Sequence, residues 1–256
     1  GLSGAIIAFL GVPFVILLNG VSLLISAFTE CFIDVPRAPK TGMPINLKTL
    51  FADLKEGAQY VFNDRCFRLI VIIAVSANFF GSGMGAVFLP FCLGRGLDVV
   101  QYGYLMSLQS ISALIGTIFM GTLNIKPELR IRLMLFGFPL SSLLFAVCYS
   151  MQTFNSLAFT FLITYFVSAV ANAILNAAFM LVIPREKRAM ISGFIMMASS
   201  GGQALSSLAF GFIAEFVDLS VLGTVSSLIS ILPFILLFVY PEIKERFIQA
   251  ELNPEV

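Results

Sequence analysis

The chain has 256 residues, 59% of them apolar and only 11% charged. A soluble domain averages about 45–50% apolar and about 25% charged, so the excess excludes a water-soluble globular fold and points to an all-α, polytopic membrane helix bundle. The balance of 15 Lys and Arg against 14 Asp and Glu, a net charge of +1, provides no basic patch for nucleic acid.

A membrane-spanning helix needs roughly 20 mostly apolar residues. Residues 1–10 read as the end of one span that turns at Gly11 and Pro13, and 14–33 reads as the next. The sequence opens at Gly1 inside an apolar run, so the expectation is a piece of a longer protein in which 1–33 closes an N-terminal half. Residues 34–68 are the only long connection. Pro36, Pro39 and Pro44 mark a linker. Then "NLKTLFADLKEGAQYVFNDR" sets Leu47, Leu50, Phe51, Leu54, Ala58, Val61 and Phe62 at helical spacing. The pattern predicts an amphipathic helix lying on the inner membrane face. Asn46 is placed to cap it, and Asp64 to cap the helix that follows.

Six more apolar runs come after the linker, at 69–93, 101–122, 131–150, 156–183, 189–216 and 220–240. They predict a C-terminal six-helix bundle over 69–240, followed by a tail at 241–256. The bundle divides into 69–150 and 156–240, three helices each, as in transporters built from inverted repeats. Pro90, Pro139 and Pro233 lie inside spans, where kinks are tolerated if neighbouring groups satisfy the freed backbone. Of the 15 Lys and Arg, all but Arg95 fall on one side of this threading. The bias of cytoplasmic loops toward positive charge then puts 34–68 and the tail in the cytoplasm. The turns at 94–100, 151–155 and 217–219 face outside a multi-pass cell membrane.

Polar residues inside these runs are the candidates for function. The run 156–183 has no charge and no proline, yet Tyr165, Ser168, Asn172 and Asn176 recur at offsets of 0, 3, 7 and 11, with Phe179 extending the stripe. At about 100° per residue they share one face. In 189–216, Ser192, Ser199, Gln203 and Ser206 form a second stripe. In 69–93 the candidates are Ser76, Asn78, Phe80 and Met84, and in 101–122 Gln109 with Ser107, Ser110 and Ser112. Such groups can simply hydrogen-bond between helices, each contributing about 0.6 kcal/mol. Two carboxamides one turn apart are costly against lipid, however, and are expected to face a bundle interior or a wet cavity. The glycines of "FFGSGMGAVF" and "ASSGGQALSS" are expected to serve close helix packing.

Catalytic and metal-binding chemistry finds no support. There is no histidine, and Cys31, Cys66, Cys92 and Cys148 show no CxxC spacing. "GLSG" at 1–4 resembles the nucleophile motif of rhomboid proteases only superficially, since that dyad needs a histidine. No HExxH or phosphate-binding loop occurs. The expectation is a non-enzyme without metal or cofactor. Glu30, Glu215 and Arg132 stand at span ends and read as interfacial, which leaves no carboxylate at mid-span.

The chain resembles the C-terminal portion of a major facilitator superfamily transporter, in the branch that includes macrolide-efflux proteins and enterobactin exporters. "GLSGAIIAFLGVPFVILLNGVSLLISAF" is similar to that branch's fifth-to-sixth helix region, with Gly4, Gly11, Pro13, Asn19 and Ser22 matching. "ADLKEGAQYVFNDRCFRLI" is similar to the linker into the seventh helix, with Asp53, Glu56 and Gly57 in place. "NFFGSGMGAVFLP" and "QYGYLMSLQSISALIGTIFMG" resemble the seventh and eighth helices, and "IPREKRAMISGF" the turn before the eleventh. The loop "GTLNIKPELRIR" departs from the family's Gly-x-x-x-Asp-Arg-x-Gly-Arg-Arg pattern in lacking its Asp.

The resemblance implies helices six to twelve of a proton-driven exporter that works by alternating access. Its cavity candidates are Asn78, Phe80, Met84, Gln109, Tyr165, Asn172, Asn176, Phe179 and Gln203. Its substrates are amphipathic or apolar small molecules such as drugs, macrolides or siderophores. Its partners are the lipid bilayer and the missing N-terminal half of the same protein. Two other readings stay open: a truncated, non-transporting assembly subunit, and an importer of the same superfamily.

Overall fold

The computed structural model describes residues 2–32, 47–123, 125–183, 187–240 and 245. All regular structure among them is helical: α1 (Leu2–Glu30), α2 (Leu47–Asn63), α3 (Arg65–Gly94), α4 (Val99–Thr122), α5 (Pro127–Ser150), α6 (Phe154–Val182), α7 (Arg188–Ile213), α8 (Leu219–Ile229) and α9 (Leu232–Val239). Four of these, α3 to α6, are long and apolar enough to cross a membrane. With 30 residues, α3 is about 45 Å long, well over the ~30 Å of a hydrocarbon core.

The starts of these helices are written locally. Asp64 caps α3 by accepting from the backbone N–H groups of Cys66 and Phe67 at 2.8 and 3.2 Å, as the sequence predicts. Asp98 and Gln101 form a reciprocal capping box at the start of α4. Pro127 opens α5 at a position where no N–H is needed. Thr153 caps α6, and Asp218 caps α8. Asn46 and the tail apart from residue 245 lie outside the described residues.

Two expectations change. The turn at Gly11 and Pro13 is absent, because α1 runs unbroken from Leu2 to Glu30 with Pro13 inside it. A proline removes one ladder bond, and an otherwise helix-favouring apolar run absorbs that loss. The last run is not one helix: α8 ends at Ile229 and α9 begins at Leu232. Pro233 has no N–H and its ring crowds the carbonyl four residues back. The chain answers with tighter bonds, Ile231 N–H to the Leu228 carbonyl at 3.2 Å and Phe234 N–H to the Ile231 carbonyl at 3.0 Å.

The helix expected in the linker forms as α2, and its apolar stripe is divided. Val61 is fully buried. A Cβ added to Gly57 would stand 3.2 Å from Met190 Cγ, so α2 rides close on α7. Phe62 meets Phe194 edge-on at 6.2 Å, whereas Phe51 stays exposed. One edge of α2 therefore docks on the bundle.

Neighbouring helices pair as α3 with α7, α4 with α6, α5 with α6 and α5 with α8, while α1 lies beside α4. Two apolar clusters result. One surrounds Phe67, Ile131, Met134 and Ile191; the other surrounds Phe88, Phe91, Leu105, Tyr149 and Phe161. The turns alternate between the two ends. Arg95 gathers one end: its guanidinium donates to the carbonyls of Met151 at 2.6 Å and Tyr149 at 2.9 Å, and to Ser220 Oγ at 2.8 Å. The α3–α4, α5–α6 and α7–α8 turns are thus held together. At the other end Lys187 sits 4.4 Å over the Tyr60 ring and Arg65 4.3 Å over the Tyr240 ring.

Candidate substrate cavity

Between the two clusters, α3, α4, α5, α6, α7 and the α8–α9 segment surround a cavity of ≈ 550 Å³. Drug-sized ligands occupy clefts of about 300–1,000 Å³. Its walls are aromatic. Phe138 and Phe234 stack at 4.5 Å, Phe88 and Phe161 stack at 5.1 Å, and Tyr165 meets Phe161 and Phe145 edge-on at 4.6 and 5.2 Å. No Asp, Glu, Lys or Arg lines it among the described residues. The polar contribution is neutral throughout: carboxamides, phenols and serine hydroxyls.

Helix geometry decides who reaches this space. On α3, Asn78 and Ser82, and likewise Gly81 and Gly85, stand four residues apart and line it together with Phe80 and Met84. Gly83, half a turn away, turns instead toward α7, where a Cβ would collide with the Phe210 ring and the Ser206 hydroxyl. The glycine-rich stretch therefore serves two purposes: Gly83 permits close packing, and Gly81 and Gly85 leave room in the cavity. On α7, Gln203 donates from Nε2 to Asn78 Oδ1 at 3.1 Å. Ser206 donates to the Phe79 carbonyl, and Ser112 on α4 donates to the Leu162 carbonyl. These two serines are bonds between helices and nothing more.

Of the nine residues expected at a site, Asn78, Phe80, Met84, Gln109, Tyr165, Asn172 and Gln203 line the cavity. Asn176 does not; it borders a shallower groove between α4 and α6 shared with Gln109, Thr117 and Asn172. Phe179 packs on the first apolar cluster. Tyr165, Asn172, Asn176 and Phe179 lie on the face of α6 that the spacing defines. At ~1.5 Å per residue, however, Asn176 and Phe179 stand about 6 and 10 Å beyond Asn172 along the axis, past the end of the cavity.

Sequence reasoning missed Ser141 and Ser142 on α5 and Ser226, Ser227 and Ser230 at the α8 end, all of which line the cavity. A signal existed. Each of the two helices carries an adjacent Ser-Ser pair in an apolar run, and Ser230 stands three and four residues beyond the second pair. Ser230 bridges to Ser142 Oγ at 3.1 Å.

Residues 71–253 match the family model for the Major Facilitator Superfamily. No curated protein and no solved structure matches the chain. A helical membrane bundle with a neutral, aromatic-walled central cavity, matched over most of its length, belongs to the Major Facilitator Superfamily of membrane transporters.

Proposed function

We propose that the chain forms one wall of the substrate path in a secondary-active exporter of amphipathic or apolar small molecules, working by alternating access. The observation that carries this reading is the composition of the cavity: stacked rings and neutral hydrogen-bonding groups, with no fixed charge among the described lining residues. Such a site binds by dispersion and a few hydrogen bonds. A strongly hydrated ion would lose its water there without compensation.

The driving force is proposed to be the proton gradient. The carboxylate that such coupling needs is assigned to helices preceding α1 in the same protein, which would also supply the opposing wall. The test uses the full-length transporter in everted membrane vesicles loaded with a fluorescent apolar substrate. Asn172→Leu removes a cavity carboxamide and is expected to lower the transport rate by about tenfold. Asn176→Leu, outside the cavity, is expected to change it less than about twofold. Proton-driven accumulation inside everted vesicles supports export. Depletion supports import and overturns the direction, and equal transport by both variants overturns the site.

A further inference from the structure

The cavity has a hydrogen-bond polarity, and at the α5–α8 end it favours acceptors. Ser141 Oγ donates to the Phe138 carbonyl at 2.8 Å, Ser226 Oγ to the Leu222 carbonyl at 2.5 Å and Ser227 Oγ to the Gly223 carbonyl at 2.7 Å. Ser230 Oγ has a single proton, shared between the Ser227 carbonyl at 2.7 Å and Ser142 Oγ at 3.1 Å. A hydroxyl has one donor and two acceptor lone pairs. Four of these five protons are therefore directed back into the protein, and the oxygens that remain face the space as acceptors. Ser142 keeps the one proton not drawn to a backbone carbonyl.

The α6 wall repeats the pattern. Asn172 Nδ2 donates to the Ser168 carbonyl at 2.8 Å. A carbonyl can only accept, so the amide nitrogen must point there and Oδ1 is turned the other way, with no partner among the described residues. On α3, Asn78 donates to the Ala74 carbonyl at 2.8 Å, and its Oδ1 is taken by Gln203 at 3.1 Å. Toward the Arg95 end Tyr102 and Tyr149 contribute phenol groups. Tyr149 is seven residues from Ser142, about 10 Å along α5.

We infer that the α5–α8 end of the cavity, floored by the Phe138–Phe234 stack and rimmed by Ser142, Ser227 and Ser230, is a subsite for a hydrogen-bond donor, hydroxyl or ammonium, carried on an otherwise apolar ligand. The inference rests on the proposed substrate cavity and adds which chemistry that cavity accepts. An acceptor-only group placed there finds one uncommitted proton, that of Ser142, among the lone pairs of five hydroxyls, and a carboxylate meets those lone pairs with charge. A hydroxyl or ammonium supplies the missing protons, and the ring faces are compatible with either.

The test uses the purified full-length transporter in detergent and four ligands on one fluorescent skeleton: 1-pyrenebutanol, 1-pyrenebutylamine, the methyl ether of 1-pyrenebutanol, and 1-pyrenebutyrate. Saturable binding is read as a change in pyrene emission against a protein-free detergent blank. The alcohol or the amine is expected to bind roughly tenfold more tightly than the ether, and the carboxylate more weakly than both. The alcohol-to-amine ratio tells a neutral donor from a cationic one. In the Ser142→Ala/Ser230→Ala double variant the preference over the ether is expected to vanish while the ether's own affinity stays within about twofold. Equal binding of alcohol and ether by the unmodified protein overturns the inference and needs no variant. So do saturable binding of none of the four, and a preference that survives the double substitution. Vesicle uptake of the same ligands keeps the two readings apart. Transport without donor preference removes only the subsite, and donor-selective binding without transport removes only the transporter reading.

Discussion

At Gly116 the backbone of α4 comes close to α6. A Cβ there would stand 2.9 Å from the Phe166 carbonyl oxygen and 3.0 Å from Ala169 Cβ. In a bilayer, helices associate through such close packing, since lipid offers apolar surface as readily as protein does. Gly116→Val is expected to destabilise the bundle by roughly 1–3 kcal/mol, the usual cost of overpacking. Gly121→Ala, with nothing near its would-be Cβ, is expected to leave the melting temperature in detergent unchanged within error. The Asp218 carboxyl is held below its ordinary range first by the Val221 N–H, then by Ser220, with a smaller contribution from Arg95. Its folded pKa is depressed, so its contribution to capping α8 is complete above about pH 4, the unfolded value. That contribution is lost as pH falls through the lower folded value. Asp218→Asn keeps a capping oxygen but cannot titrate. Melting curves below pH 4 should therefore lose part of their acid dependence in this variant.

Among the elements, the prolines divide unevenly. Pro13, Pro90 and Pro139 stay inside continuous helices, and only Pro233 coincides with a break. All four are alike in the sequence, each missing one N–H. What distinguishes the last is its setting: Ser230 uses its hydroxyl on the Ser227 carbonyl and on Ser142, and Phe234 stacks on Phe138. The Ser142 and Phe138 contacts reach α5, and no pattern within 220–240 can announce them. The turns at the Arg95 end form a second unit. Arg95→Gln removes a charged donor from two carbonyls and a hydroxyl. It is expected to cost roughly 1.5–3 kcal/mol and to accelerate amide exchange in the 94–98, 151–153 and 217–220 turns together. Faster exchange in the α3–α4 turn alone would show that the three turns are not coupled through this side chain.

For the whole molecule, the threading carries the strongest sequence signal, because a bilayer penalises charge by position along the chain. Every Lys and Arg but one lies on one side of the spans as read from composition. Arg95, the exception, stands at the end it shares with Met151 and Ser220. In a full-length variant lacking Cys31, a cysteine at the exposed Gln152 is expected to react with a membrane-impermeant maleimide on intact cells, and one at the exposed Glu128 is not. The opposite result would invert the threading. The candidate site was half legible. Carboxamides and Tyr165 at helical spacing picked out the inward face of α6, because polar groups in oil must face something polar. The depth at which that face opens into a cavity was not legible, so Asn176 and Phe179 fall beyond it.

The sequence by itself determined the solvent, most of the helices, the cap at Asp64 and the alternation of the helix ends, since each follows from hydropathy, charge and hydrogen bonding within a few residues of chain. Only the tertiary structure decided which polar residues meet. It set the serines of α5 beside those of α8, turned Gln203 onto Asn78, and left Ser206 and Ser112 as plain helix-to-helix bonds. The physical reason is that a helix presents every side of itself to something, and which side faces a cavity depends on the rotation and depth of its neighbours, which no local spacing encodes.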